Sequence, residues 1–302
     1  MVVTLSLSDS GRAPGGRTLN VTFYGVRGST PCSCDENQRY GGNTACVVIE
    51  ADGARPIILD LGTGLRFYGL TQPHDGSYSG IALVSHLHWD HVQGLPFFSP
   101  VLCDGARLDV YAPGQENGTS LNDAVRTFLA PPFFPISVDA LPGTLTFTEV
   151  ADGSFELDGY QVQVASVPHV GPTVGYRVSR DGVSVAYVSD HQQPGCGSTK
   201  VSAEVLDLCD GVDVLIHDAQ YTDDEFAVRN DWGHCTIDYA ISVAAQAGVK
   251  RLVLFHHDPL HHDAAIDELL AHAAVSAARA GVPDVIAAWE GLSISLTSPV
   301  AR

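Results

Sequence analysis

Ser85-His86-Leu87-His88-Trp89-Asp90-His91 places four metal-ligating side chains within six residues, at the end of an apolar run over 81–85. That run is too short for a stable helix and reads as a buried strand. In an extended segment, side chains two positions apart point the same way, so His86 and His88 can hold one ion together. Asp90 and His91 follow in the turn and can reach a second. Imidazole with carboxylate suits Zn²⁺, Mn²⁺ or Fe²⁺, and the lack of a thiolate argues against a purely structural zinc site. The plain alternative is a histidine-rich surface turn that binds nothing. The density of ligands, the aspartate and the strand-end position all count against it.

Working outward, short β-rich apolar runs bounded by turn residues lie at 19–26, 45–51 and 56–61, the last reaching Asp60 just before Gly62-Thr63-Gly64. The stretch 97–141 is irregular, with a helix expected over 121–129 and prolines 131, 132 and 135 around Phe133 and Phe134. Strands resume at 161–167, 173–178 and 183–189. The last third alternates: strand 212–216, helix 237–247, strand 251–255, helix 263–280 and a final strand through 294–296. Helices on the outer faces of two packed sheets account for this order, an α/β, four-layer αββα sandwich. No linker or solenoid repeat interrupts it. We therefore expect one domain over 20–302 behind a flexible, polar tail at 1–19.

Composition narrows the function classes. The chain has 302 residues, 45% of them hydrophobic, an ordinary globular balance. No stretch nears the roughly 20 apolar residues that span a bilayer, and residues 1–19 lack the apolar core of a secretory signal. Seven scattered cysteines, an odd count, read as reduced thiols of a cytoplasmic protein. Cys32 and Cys34 could bind a structural metal but lack a partner pair nearby. With 35 acidic residues against 16 basic, the net charge of −19 gives no footprint for a nucleic-acid backbone. The expected partners therefore include neither tRNA or other nucleic acid nor a membrane.

The H-x-H-x-D-H pattern at 86–91, in this setting, resembles the signature of the metallo-β-lactamase superfamily, over nearly the whole chain from Asn20 to Leu296. The resemblance implies a metal-dependent hydrolase with seven ligands. His86, His88 and His169 would hold the first ion, and Asp90, His91 and His256 the second, with Asp190 between them. Asp60 would orient the histidine loop. His191 and His257 each adjoin a chosen ligand and compete with it, although a one-residue shift turns a side chain to the opposite face. Two adjacent cations lower the pKa of a shared water towards neutrality and stabilise charge developing on the substrate. Asp90 could also steer the nucleophile's proton.

Ile216-His217-Asp218-Ala219-Gln220-Tyr221 and Gly233-His234-Cys235-Thr236 resemble paired segments of ribonuclease Z-like phosphodiesterases. Carried over, His234 protonates the leaving oxygen and Asp218 orients His234. Asp218 departs from the family, which more often has Glu there. On the bland reading Thr236 is a helix N-cap and His234 a loop residue. Gly25-Val26-Arg27-Gly28-Ser29-Thr30-Pro31 also looks like this branch, its glycines letting backbone N–H groups approach an anion. A single hairpin between His169 and Asp190 leaves no room for the basic arm of ribonuclease Z. The nearer resemblance is to phosphoribosyl cyclic phosphate and cyclic nucleotide phosphodiesterases, which implies a small phosphate ester as the partner, in a branch where homodimers are common. Phe97, Phe98, Phe133 and Phe134 could roof a pocket for a ring or belong to the core. The rival readings are an acyl hydrolase for a lactone, thioester or β-lactam, and a catalytically silent metal-binding module.

Overall fold

A computed structural model describes residues 18–298 except 117. The strands β1 (Thr18–Gly25), β2 (Cys46–Ala51), β3 (Ile57–Leu59), β4 (Ser79–Leu83), β5 (Arg107–Pro113) and β6 (Thr144–Val150) belong to a first sheet, with β14 (Ser293–Thr297) on its edge. The second sheet holds β7 (Gly153–Leu157), β8 (Tyr160–Ser166), β9 (Val174–Arg180), β10 (Val183–Val188), β11 (Val214–Asp218), β12 (Leu252–Phe255) and β13 (Val285–Ala287). Strand order is β14-β1-β2-β3-β4-β5-β6 in one and β13-β12-β11-β10-β9-β8-β7 in the other.

The burial of each strand explains its position. β10, β11 and β12 are buried at every residue, as strands covered on both faces must be. β1 alternates half-buried and buried, with Leu19, Val21 and Phe23 entering the core between the sheets beside Tyr187, Ile216 and Phe255. Outside the second sheet pack α4 (Ala203–Cys209), α6 (Ile237–Gln246) and α7 (Asp263–Ala280), their apolar faces meeting Ala186, Leu215 and Leu254. Outside the first lie α1 (Leu65–Leu70), α2 (Trp89–Val92) and α3 (Leu121–Phe128). The short α5 (Asp223–Val228) precedes α6. The four-layer αββα order expected from the sequence is the observed one.

β3, β4 and β5 run parallel in one sheet, and β10, β11 and β12 in the other. Parallel strands deliver their carboxyl ends to one edge, where ligands of open α/β sheets collect. Asp60 follows β3, Ser85–His91 follow β4, Asp190 follows β10, Asp218 ends β11 and His256 follows β12.

Several elements escape sequence patterning. β6 and β7 are sheet edges, half exposed and rich in Thr, Ser and Glu, and their only alternation is the brief one of Leu145 and Phe147 in β6 and of Phe155 and Leu157 in β7. β5 lies inside the stretch read as irregular because Arg107 and Asp109 interrupt its apolar run. The tail boundary is corrected at its end: Thr18 and Leu19 already pair with β14, and Leu19 is buried. The rest of the expected tail lies outside the described residues. Among the described residues, no helix is long and apolar enough to cross a membrane. The seven cysteines are free thiols.

Candidate metal centre

The strand ends bend sharply as they reach the site. Ser29, Asp60 and His256 all hold φ near +60°, a region costing about 1–3 kcal/mol for a residue with a side chain. The turn after β12 directs His256 to the cluster, while its neighbour His257 goes to the Ala288 carbonyl at 3.0 Å. His191, the neighbour of Asp190, likewise turns away, its Nδ1 3.0 Å from His217 Nε2. Gly28 is required by the close approach of His256: a Cβ there would lie 2.3 Å from the ring Nδ1. This ring, rather than an anion at the backbone, accounts for that glycine. Gly233, at φ +95°, leaves the same room for the ring of His169 and accepts from its Nδ1 at 2.7 Å.

Asp60 is the fully buried anchor of the histidine loop. It accepts from the Ser85 backbone N–H at 2.7 Å, the Ser85 hydroxyl at 2.9 Å and the Tyr187 hydroxyl at 2.7 Å, and it holds His91 Nδ1 at 2.7 Å. That fixes the His91 tautomer and leaves Nε2 for the cluster. Asp60→Ala strands these buried donors and is expected to destabilise the metal-free protein by about 3 kcal/mol or more. Urea unfolding measures it, and a loss under about 1 kcal/mol would mean water replaces the carboxylate.

The seven predicted ligands come together. Ligand atoms of His86, His88 and His169 lie within 4.8 Å of one another, as do those of Asp90, His91 and His256. Asp190 lies between, its carboxylate oxygens 3.2 Å from His91 Nε2, 3.5 Å from His256 Nε2, 3.8 Å from His169 Nε2 and 3.9 Å from His86 Nε2. His88 Nδ1 and His169 Nε2 are 3.2 Å apart, as are His91 Nε2 and His256 Nε2. Two nitrogens on a tetrahedral zinc ion stand about 3.3 Å apart. His86 Nε2 and Asp190 Oδ2 are buried with no hydrogen-bond partner, a costly state for polar atoms unless a cation meets them. Donor chemistry, spacing and these two orphaned atoms all fit divalent metal.

Charge on these groups runs the same way. Burial, reinforced by His91, pushes His86 well below its ordinary pKa and keeps it a neutral ligand. Burial works against the charge of Asp190, but the rings of His256, His91 and His86 outweigh it and hold the carboxyl well below its usual range.

His234, buried just before α6, places Nδ1 3.2 Å from Asp218 Oδ2 and 3.6 Å from Asp190. Burial opposes its protonation, yet Asp218, with Asp190 and Asp90, raises its pKa overall. Asp218 also accepts from the backbone N–H groups of His191 and Gln220 at 3.0 Å each, so the shorter side chain is carried to His234 by its own loop. Thr236 caps α6 as well, its hydroxyl accepting from the Tyr239 N–H.

Sequence reasoning missed several supporting groups. Gln220 Oε1 holds His256 Nδ1 at 2.8 Å, and the Ser29 N–H donates to Asp90 at 2.7 Å. Gln192 accepts from the Gly233 N–H, tying the His234 loop to the Asp190 strand end. Gln220 and Ser29 lie within stretches already singled out, so their position was available as a signal; Gln192 and Tyr187 offered none. Phe98 is corrected: it is fully buried and stacks on Tyr68 within the core, outside any roof. Away from the cluster, His262 brings an exposed ring 3.9 Å from Cys34 Sγ and 3.4 Å from Glu36.

Residues 57–257 match the β-lactamase superfamily domain. The chain belongs to the metallo-β-lactamase superfamily. It is a metal-dependent hydrolase of that fold. It is similar to a ribonuclease Z of Natronomonas pharaonis, 24% identical over 286 residues, covering 79% of this chain and 87% of that protein. Among solved structures it resembles the metallo-β-lactamase fold protein YhfI of Bacillus subtilis (TM-score 0.69, 16% identity, 93% of this chain and 100% of that one). It also resembles the short form of human tRNase Z (TM-score 0.64, 20% identity, 93% and 100%). The ribonuclease Z relatives overturn the expectation that tRNA and other nucleic acids are excluded as partners. The physical error was to read a local property from a total: −19 sums the whole chain, buried carboxylates included, while a phosphate meets only the field at the site, where cations held by the cluster would reverse the sign.

Proposed function

We propose that this protein hydrolyses phosphodiester bonds with two divalent ions, Zn²⁺ ahead of Mn²⁺ or Fe²⁺. His86, His88 and His169 hold one, Asp90, His91 and His256 the other, and Asp190 faces both. Ions bound there supply Lewis acidity, lowering the pKa of a shared water and offsetting charge on the phosphate. The observation that carries phosphodiester over thioester chemistry is the Asp218–His234 pair beside the cluster, in segments that resemble those of ribonuclease Z-like phosphodiesterases. Asp218 engages Nδ1, so Nε2 is the nitrogen left to hand a proton to a departing oxygen. An alkoxide leaving phosphorus needs that proton, and a thiolate leaving a thioester does not.

The ribonuclease Z relatives support an RNA phosphodiester as substrate. A small or cyclic phosphate ester, of cyclic nucleotide or phosphoribosyl type, is the finer alternative, favoured by an aromatic cleft walled in part by Leu87 and Trp89 of the histidine loop. The test measures metal content, then hydrolysis of bis-p-nitrophenyl phosphate, nitrocefin and a thioester side by side, with a precursor tRNA and a cyclic nucleotide added. Cleavage of phosphodiesters alone is the expected result. Cleavage of the acyl substrates alone would move the protein to the rival class and leave His234 a structural residue.

A further inference from the structure

Beside the metal cluster lies a cleft of about 650 Å³, within the range of small-ligand sites. Leu87 and Trp89, the chain neighbours of His88 in the histidine loop, form part of its wall, which sets the cleft next to the loop that carries four of the ligands. Phe97, Phe133 and Phe134 line it further out, with Phe97 and Phe134 meeting edge to face, their ring centroids 6.1 Å apart. Trp89 is 68% exposed, Phe97 60% and Phe133 68%. Three large aromatic surfaces open to water in one place are unusual for a folded chain and mark a binding surface. No charged side chain lines this cleft among the described residues. Gln93 and Gln115 line it too, each with one amide hydrogen engaged elsewhere (Gln93 by Thr44 Oγ1 at 3.4 Å, Gln115 by the Pro113 carbonyl at 3.0 Å), which leaves one amide N–H and the amide oxygen of each as donor and acceptor.

Flat aromatic walls suit the two faces of a planar ring, and the amides suit a ring whose edge carries both donors and acceptors. An acyl chain would use the walls and leave the amides without a role. A phosphate would find the cations of the centre but no positive charge in the cleft. We propose that the cleft receives a nucleobase of the substrate, on a nucleotide adjoining the scissile phosphate. This rests on the phosphodiesterase reading above and adds to it a substrate class, nucleotide esters carrying a base.

The test compares kcat/KM of the metal-loaded protein on adenylyl-adenosine and on two analogues, each lacking one of the two bases. Loss of one particular base is expected to lower kcat/KM about tenfold or more, the effect of one base–aromatic stack. Phe97→Ala and Phe133→Ala remove exposed rings, and each should collapse that preference towards unity. Equal rates on all three substrates would overturn the cleft as a base site while leaving the phosphodiesterase reading intact. If wild type cleaves neither these nor bis-p-nitrophenyl phosphate, a precursor tRNA or a cyclic nucleotide, that reading fails instead. The cleft is then judged by adenosine quenching of tryptophan fluorescence: binding weakened by Phe133→Ala supports it and no binding overturns it. Repeating Phe133→Ala on a precursor tRNA and on a cyclic mononucleotide assigns the base to a polymer end or to a small nucleotide, whichever shows the drop. A drop on neither counts against the proposal.

Discussion

Asp190→Ala is expected to release bound metal and lower turnover by about a thousandfold or more, the scale of losing a principal electrostatic group from an active site. Asp190 reaches both ligand trios, with His91 and His256 on one side and His86 and His169 on the other. Without it, four imidazoles face one another around a buried space with no central anion to balance two divalent charges. The neutral histidines, with Asp90 as the one carboxylate remaining, would bind the ions far more weakly. Elemental analysis after dialysis, run beside kcat, measures both effects. Asp190→Asn keeps the shape and removes the charge, so a similar loss there assigns the effect to charge rather than to a cavity. Two ions retained at wild-type affinity would remove Asp190 from the ligand set.

His234→Ala is expected to keep both ions and still lose about a hundredfold to ten-thousandfold in kcat on esters with poor leaving groups, the range of a general acid. On p-nitrophenyl esters, whose leaving group departs without a proton, the loss should be small. That contrast separates proton donation from loss of structure, which would lower both rates alike. The geometry also contains the opposing case. Asp190, His234 and His256 bring ligand atoms within 4.8 Å of one another, so a ring at His234 could serve a metal. If His234→Ala loses an ion, it belongs to the ligand set and the general-acid role is wrong. Asp218→Asn should follow His234→Ala in direction with a smaller loss, because Asp218 acts on the substrate only through His234.

The fold's legibility depended on where burial is complete. β10, β11 and β12 read as continuous apolar runs because helices and the opposing sheet cover both their faces. β6 and β7 sit on edges, where burial is partial and polar residues are admitted, and β13, though apolar, is only three residues long, so none of them stood out as a strand. The histidine loop was legible because its ligands are neighbours in the chain. His169, Asp190 and His256 were found through the family resemblance, since each stands alone in its own segment.

By itself, then, the sequence determined the ligand chemistry: imidazoles and carboxylates at the end of a buried strand, with the alternation that turns His86 and His88 to the same side. Which of two adjacent residues faces the cluster was decided by tertiary structure, through the left-handed turn at His256 and the pairing of His191 with His217. So was the role of Gln220, which reaches His256 across 36 positions. The cause is the parallel strands of the two sheets, whose carboxyl ends carry residues from Asp60 to His256 to the same edge of the sandwich. Distance along the chain does not measure that convergence. The net charge misled for the same reason, because the field a phosphate meets is set by which groups the fold gathers at that edge.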